Sequence, residues 1–321
     1  MPALVLFSQR PRAGKTAVAV GLAHCLRQDK RPAALIRLGP ADDGSTADAR
    51  CFASLGLAAG KTAQPLSADE AAGLVKGAAD TTFVLELPAG ETPRPGEGAA
   101  VLVERFADLD AAKAASLAKT LGSSFAGVIV TATPASRLAG PSVGRPVGPA
   151  GEDLAGGGVP LLAALPEDRL LAAPTIAEMA TALDAQALFL DGRADTLVER
   201  MTIASIAADP GQGYFVQFGP QAVIVRCDKP DLQLAALHTS TLCLILTGGR
   251  MPLGYVTERA ESEGVPVLIT TKDTPDAVRV LEGLYAGGRF GGRGKAERVA
   301  QLMAERLDKD ALRKALASGQ R

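Results

Sequence analysis

The 321-residue chain has no tryptophan, only 4% aromatic residues and just two histidines, His24 and His238. Two imidazoles cannot build a histidine-rich metal site, and neither is assigned a role. With so few rings, packing falls to Ala, Gly, Leu and Val, which suits helices laid on parallel sheets. A long basic run is also lacking, and the formal net charge is −1. Bulk electrostatics therefore gives no reason to expect nucleic acid or an anionic membrane as partner. No apolar stretch is long enough to span a bilayer. The opening run, Ala3–Phe7, is too short for a signal-peptide core and has no basic segment before it. The four cysteines, Cys25, Cys51, Cys227 and Cys243, form no C-x-x-C pair and match no zinc spacing. They read as reduced thiols, so a cytoplasmic protein is expected.

What is present is alternation. Short apolar runs at Ala3–Phe7, 33–38, 83–87, 99–103, 127–131 and 160–165 predict strands buried on both faces. Helix-like stretches such as 16–27 and 109–121 lie between them. The fold class is therefore α/β, with a parallel sheet and right-handed crossovers in the first half. Residues 139–158 are rich in Gly and Pro and predict a loop where a crossover helix is expected. Thr175 followed by Glu178 has capping-box spacing and opens a helix, and a domain boundary is expected near Leu183. A second α/β pattern follows, with strands at 187–190, 222–225, 242–246 and 267–270. Thr274 then Pro275 reads as an N-cap with proline at the first helical position. Residues 287–294 read as a glycine-rich link. Beyond it Val299, Leu302, Met303 and Leu307 form an apolar stripe at helical spacing, read as packing.

The chemistry concentrates in one turn. After the first strand come Ala13, Gly14, Lys15 and Thr16 at a helix start, the context of a phosphate-binding loop. Backbone N–H groups and the helix dipole face phosphates there. Lys15 is expected to neutralise the β- and γ-phosphates, and the Thr16 hydroxyl to coordinate Mg²⁺. The full pattern wants glycine six residues before the lysine, where this chain has Gln9.

Ser8-x-x-Pro11-x-Ala13-Gly14-Lys15-Thr16 resembles the loop of the dethiobiotin-synthetase-like domain at the N-terminus of some phosphotransacetylases. The resemblance continues through Thr46-Ala47-Asp48-Ala49, Phe83-Val84-Leu85-Glu86, Gly127-Val128-Ile129-Val130 and Leu165-Pro166-Glu167-Asp168-Arg169, covering most of residues 1–182. It implies a P-loop NTPase-like domain binding ATP or another nucleoside triphosphate. It also implies that Asp48 and Glu86 complete a Mg²⁺ site with Thr16, and hard oxygen ligands are what Mg²⁺ takes. The competing readings are a surface carboxylate for Glu86 and an ordinary loop residue for Asp48. Two positions depart from the pattern. Arg37 stands where the synthetases carry a substrate-handling lysine after the second strand, and a flat, permanently charged fork is no simple replacement. Arg37 is kept among the nucleotide-binding candidates. Thr131 stands where an asparagine often reads the base, which leaves base selectivity open.

In the second half, Asp228-Lys229-Pro230 and Thr247-Gly248-Gly249 resemble the two elements that name the DRTGG domain, with Lys229 in the arginine position. The resemblance covers roughly residues 183–290 and implies a dimerising, regulatory unit, hence a homodimer. Read alone, Asp228 can cap a helix carrying Pro230 in its first turn. Thr247-Gly248-Gly249 is either a tight structural turn or an anion nest. The expected organisation is a P-loop domain over 1–182, a smaller α/β DRTGG domain over 183–290 and a helical tail over 291–321. The functional reading is a Mg²⁺–nucleotide-binding regulatory or sensory protein. The alternative is an ATP-dependent ligase of the dethiobiotin synthetase or cobyrinate amidation class.

Overall fold

The computed structural model describes residues 3–78, 80–138, 154, 156–204, 215, 217 and 219–318. The glycine- and proline-rich loop expected over 139–158 lies almost wholly outside them. The chain forms two compact units, one of Met1–Asp168 with Phe290–Arg321, the other of Arg169–Arg289.

The first unit is a six-stranded parallel sheet in the order β2-β3-β1-β4-β5-β6. Its strands are β1 (Ala3–Phe7), β2 (Ala33–Arg37), β3 (Thr82–Glu86), β4 (Ala99–Arg105), β5 (Phe125–Thr133) and β6 (Leu161–Pro166). β1 is buried at every residue and runs between β3 and β4, with Leu6 opposite Glu86 and Val101. Its apolar sequence follows from that central place, since covering both faces leaves no wet side to alternate toward. Each large aliphatic side chain buried there contributes about 1.5–3 kcal/mol. Helix α1 (Lys15–Gln28) leads to β2, α2 (Asp43–Ser54) and α3 (Ala68–Gly77) lead to β3, and α4 (Ala111–Leu121) leads to β5. Capping boxes open two of them, Asp42 with Ser45 on α2 and Ser67 with Glu70 on α3.

The second unit is a five-stranded sheet in the order β7-β11-β10-β9-β8. Its strands are β7 (Gln186–Leu188), β8 (Met201–Ile203), β9 (Gln221–Arg226), β10 (Thr241–Thr247) and β11 (Val267–Thr270). All pairings are parallel except that of β7 with β11. Helix α5 (Ile176–Leu183) opens on the Thr175–Glu178 capping box and belongs to this unit, so the division falls earlier than the expected boundary near Leu183. Helices α6 (Pro230–Leu237), α7 (Gly254–Ser262) and α8 (Thr274–Gly287) complete it.

Two expected caps differ. The N-cap of α8 is Asp273 rather than Thr274, because its carboxylate accepts the Asp276 N–H three residues on, at 2.8 Å. The N-cap position of α6 is Lys229, and Asp228 instead takes a two-pronged ion pair from Arg226 at 2.9 and 2.6 Å.

Residues beyond 290 return to the first unit. Helix α9 (Arg293–Arg306) lies along α1, where Gly21 leaves room for Met303; a Cβ at that glycine would stand 3.2 Å from Met303. The stripe Val299, Leu302, Met303 and Leu307 is buried, as its spacing predicts. Polar ties fix the rest. Arg298 pairs with Asp168 at 2.8 Å, while Lys309 and Arg313 of α10 (Lys309–Ser318) both reach Asp29.

Candidate functional site

The parallel strands of the first unit all end on one side. The chain steps from β1 out to β2 and back to β3, then crosses to β4 on the other flank. This reversal of strand order opens a crevice beyond the carboxyl ends, the usual ligand position in such sheets. Residues 8–16 lie there, running from the end of β1 into the first turn of α1. Arg12 and Gly14 take left-handed backbone with φ of 59° and 90°. Gly14 is the residue that tolerates this best, and a Cβ on it would lie 3.3 Å from Thr131 Cγ2.

Lys15 and Thr16 are the first residues of α1. Lys15 is 6% exposed, and its ammonium donates to Ser8 Oγ at 2.7 Å, closing the loop on itself. Burial holds its pKa below the usual lysine value, with Glu86 opposing that shift. The Thr16 hydroxyl donates to Glu86 Oε1 at 3.1 Å. Glu86, last residue of β3 and 2% exposed, keeps Oε2 buried with no hydrogen-bond partner. Burial first, then the nearby Asp48 carboxylate, push its pKa up to about 7 against the pull of Arg37, Lys15 and Thr16.

Arg37 ends β2, beside Glu86 in the register. Its Nε is 3.3 Å from Asp48 Oδ2 and 4.0 Å from Glu86 Oε1. Its Nη1 donates to the carbonyls of Leu38 and, at 3.2 Å, Glu86. Asp48 sits on helix α2, not in a loop, and is partly exposed. The structure thus gathers Lys15, Thr16, Arg37, Asp48 and Glu86 from four elements. Ala13 is buried and contributes its carbonyl.

One further residue escaped the sequence reading, and another has a different partner from the one expected. Glu104, near the end of β4 and 4% exposed, accepts the Gln9 N–H at 2.6 Å, with a pKa raised by burial. Gln9 is the residue at the missing-glycine position, so its backbone is held by a carboxylate from the neighbouring strand. Thr131, expected at a base-reading position, instead donates to Ala13 O at 2.7 Å and props the loop from below. Its hydrogen-bonding side chain was legible in the sequence; its partner was not.

A cation fits the donors present. Thr16 Oγ1 and both Glu86 oxygens stand together, Asp48 is one residue away across Arg37, and Oε2 lacks any partner. Among the described residues no three His, Cys, Asp or Glu side chains cluster as a metal cage. Mg²⁺ asks for less, one or two carboxylates with waters and phosphate oxygens.

In the second unit, Thr247, Gly248 and Gly249 close β10. The Gly248 N–H goes to Lys272 O at 3.0 Å and the Gly249 N–H to Thr270 O at 2.9 Å. With both donors spent on the backbone, the motif is a structural turn and not an anion nest. Beside it lies a cavity of about 480 Å³ lined by Arg226, Asp228, Thr247, Arg250, Asp273 and Thr274.

Fold and site together define an α/β protein of two units, with ionisable groups collected at the carboxyl ends of a parallel sheet. Within it, residues 178–284 match the family model described as the DRTGG domain, so the second unit is a DRTGG domain. The chain is also 33% identical over 133 residues to a phosphate acetyltransferase of Nitratidesulfovibrio vulgaris, covering 38% of this chain and 18% of that enzyme. It therefore spans under a fifth of that relative's length. Among solved structures, the CBS and DRTGG domains of the regulatory region of Clostridium perfringens pyrophosphatase, complexed with the activator diadenosine tetraphosphate, are 20% identical. That match covers 36% of this chain and 50% of the other at a TM-score of 0.30. No helix among the described residues is long and apolar enough to cross a membrane.

Proposed function

We propose that the first unit binds a nucleoside triphosphate, ATP in the first instance, with Mg²⁺, and that the chain is a regulatory or sensory protein of the cytoplasm. The observation that carries this reading is the convergence of Lys15, Thr16 and Glu86 at a left-handed glycine turn between a buried strand and a helix. In this reading the free N–H groups of the first turn of α1 and the Lys15 ammonium hold the phosphates. Lys15 then exchanges Ser8 Oγ for a phosphate oxygen. Thr16, Glu86 and Asp48 hold the metal, which neutralises phosphate charge when bound. Ala13 shapes the turn, and Arg37 borders the phosphate site. The match of residues 178–284 to the DRTGG domain supports a regulatory role. We further read that unit as the contact of a homodimer. The four free cysteines support a reducing compartment.

Titration calorimetry with ATP and Mg²⁺ tests the reading. Lys15→Ala removes a charge-assisted contact, and affinity is expected to fall by ~1.5–3 kcal/mol. Equal affinity in wild type and variant would remove the loop from the binding site.

A further inference from the structure

Arg37 is set where a metal's carboxylates are. Its guanidinium is tethered by the carbonyls of Leu38 and Glu86, its side chain is only 10% exposed, and its Nε lies between Asp48 Oδ2 and Glu86 Oε1. Around Thr16 two cations, Lys15 and Arg37, face two carboxylates, Asp48 and Glu86; the nearby Glu104 is engaged by the Gln9 N–H.

We propose that Arg37 is a resident cation that prevents Asp48 and Glu86 from holding a divalent metal on their own, so that metal enters only together with the nucleotide. This rests on the reading of the 8–16 loop as a nucleotide site. A bare divalent ion must take Asp48 from Arg37 and sit close to two positive side chains, in a crevice where charges interact more strongly than in water. A triphosphate reverses the balance. Its oxygens neutralise Lys15 and Arg37 and supply most of the metal's ligands, and the unpartnered Glu86 Oε2 is ready to supply one more. The arginine's permanence suits this task, because a lysine at the same place could lose its charge on burial whereas a guanidinium cannot.

The test uses Mn²⁺ as probe, followed by its paramagnetic resonance signal on the full chain, alone and with ATP. Wild type is expected to leave millimolar Mn²⁺ free without nucleotide and to bind it when ATP is added. Arg37→Gln is expected to bind Mn²⁺ alone at least about tenfold more tightly than wild type, from the loss of one nearby positive charge. Arg37→Lys is expected to fall between wild type and Arg37→Gln, because a lysine buried there can shed its charge. Wild type taking up Mn²⁺ alone as tightly as Arg37→Gln overturns the proposal, and so does an Arg37→Gln protein, folded by its thermal transition, that gains nothing. If that variant does not fold, uptake of Mn²⁺ by nucleotide-free wild type still decides against the proposal. Wild type that binds neither ATP nor Mn²⁺ with ATP refutes the nucleotide site itself, a different result from metal binding without nucleotide.

Discussion

Glu86→Gln is the substitution that most directly tests the electrostatics of the crevice. A carboxyl that ionises near pH 7 instead of near 4.5 resists ionisation in the folded protein by about 3 kcal/mol. The sign follows from proton counting. Between these two pH values the folded state holds a proton on Glu86 that the unfolded state has released, so stability falls as pH rises through that window. Glutamine cannot ionise. It keeps an oxygen to accept from Thr16, while its amide NH₂ faces the space where Oε2 already lacks a partner. That unsatisfied donor costs about 1–3 kcal/mol at every pH. The informative quantity is therefore the difference between variant and wild type in urea unfolding without metal or nucleotide. It is expected to shift in the variant's favour by about 3 kcal/mol as pH rises from 4.5 to above 7. A difference that stays flat across that range would show that burial does not hold this carboxyl neutral. The same variant is expected to bind Mg²⁺–ATP more weakly than wild type.

Gly14→Ala is expected to destabilise the protein by about 1–2 kcal/mol, because a left-handed φ of 90° is forced on a residue with a Cβ and Thr131 stands in its way; an unchanged thermal midpoint would contradict this. A homodimer is expected for the full chain by light scattering at micromolar concentration. Met251, Leu253 and Tyr255, each about half exposed on the second unit, form the first patch to test by Tyr255→Asp, and a monomeric wild type would refute the dimer. No dethiobiotin should form from diaminopelargonate, ATP and bicarbonate, since Arg37 is tied to carboxylates and backbone carbonyls; product at a biosynthetic rate would refute that.

Strands such as β1 and β10 were readable because burial on both faces leaves an uninterrupted apolar run, and Lys15 and Thr16 because a strand, a glycine turn and a helix start are neighbours in sequence. Helices α2 and α3 carry cap signals in Asp42–Ser45 and Ser67–Glu70, but each holds only one or two large apolar side chains to mark the helix behind the cap. At α8 two good capping residues stand side by side, and only the distance to the Asp276 N–H separates Asp273 from Thr274. Glu104 follows the expected strand 99–103 with no local signal of a role, since nothing local reveals that β4 lies beside the loop. The three-residue β8 is too short to show a period. Which unit the last helices join is likewise a tertiary choice that local pattern does not encode.

The return of α9 to α1 bears on how the protein is made. A ribosome delivers β1 and α1 long before residues 293–306, with the whole 169–289 unit emerging in between. During that interval the face of α1 around Gly21, together with Asp29 near its end, is without its final neighbours. Completion of the first unit therefore waits until the 169–289 unit has been delivered, whatever the speed of its sheet. A chain interrupted before residue 293 leaves that helix face of α1 uncovered, the kind of surface that chaperones and proteases sample.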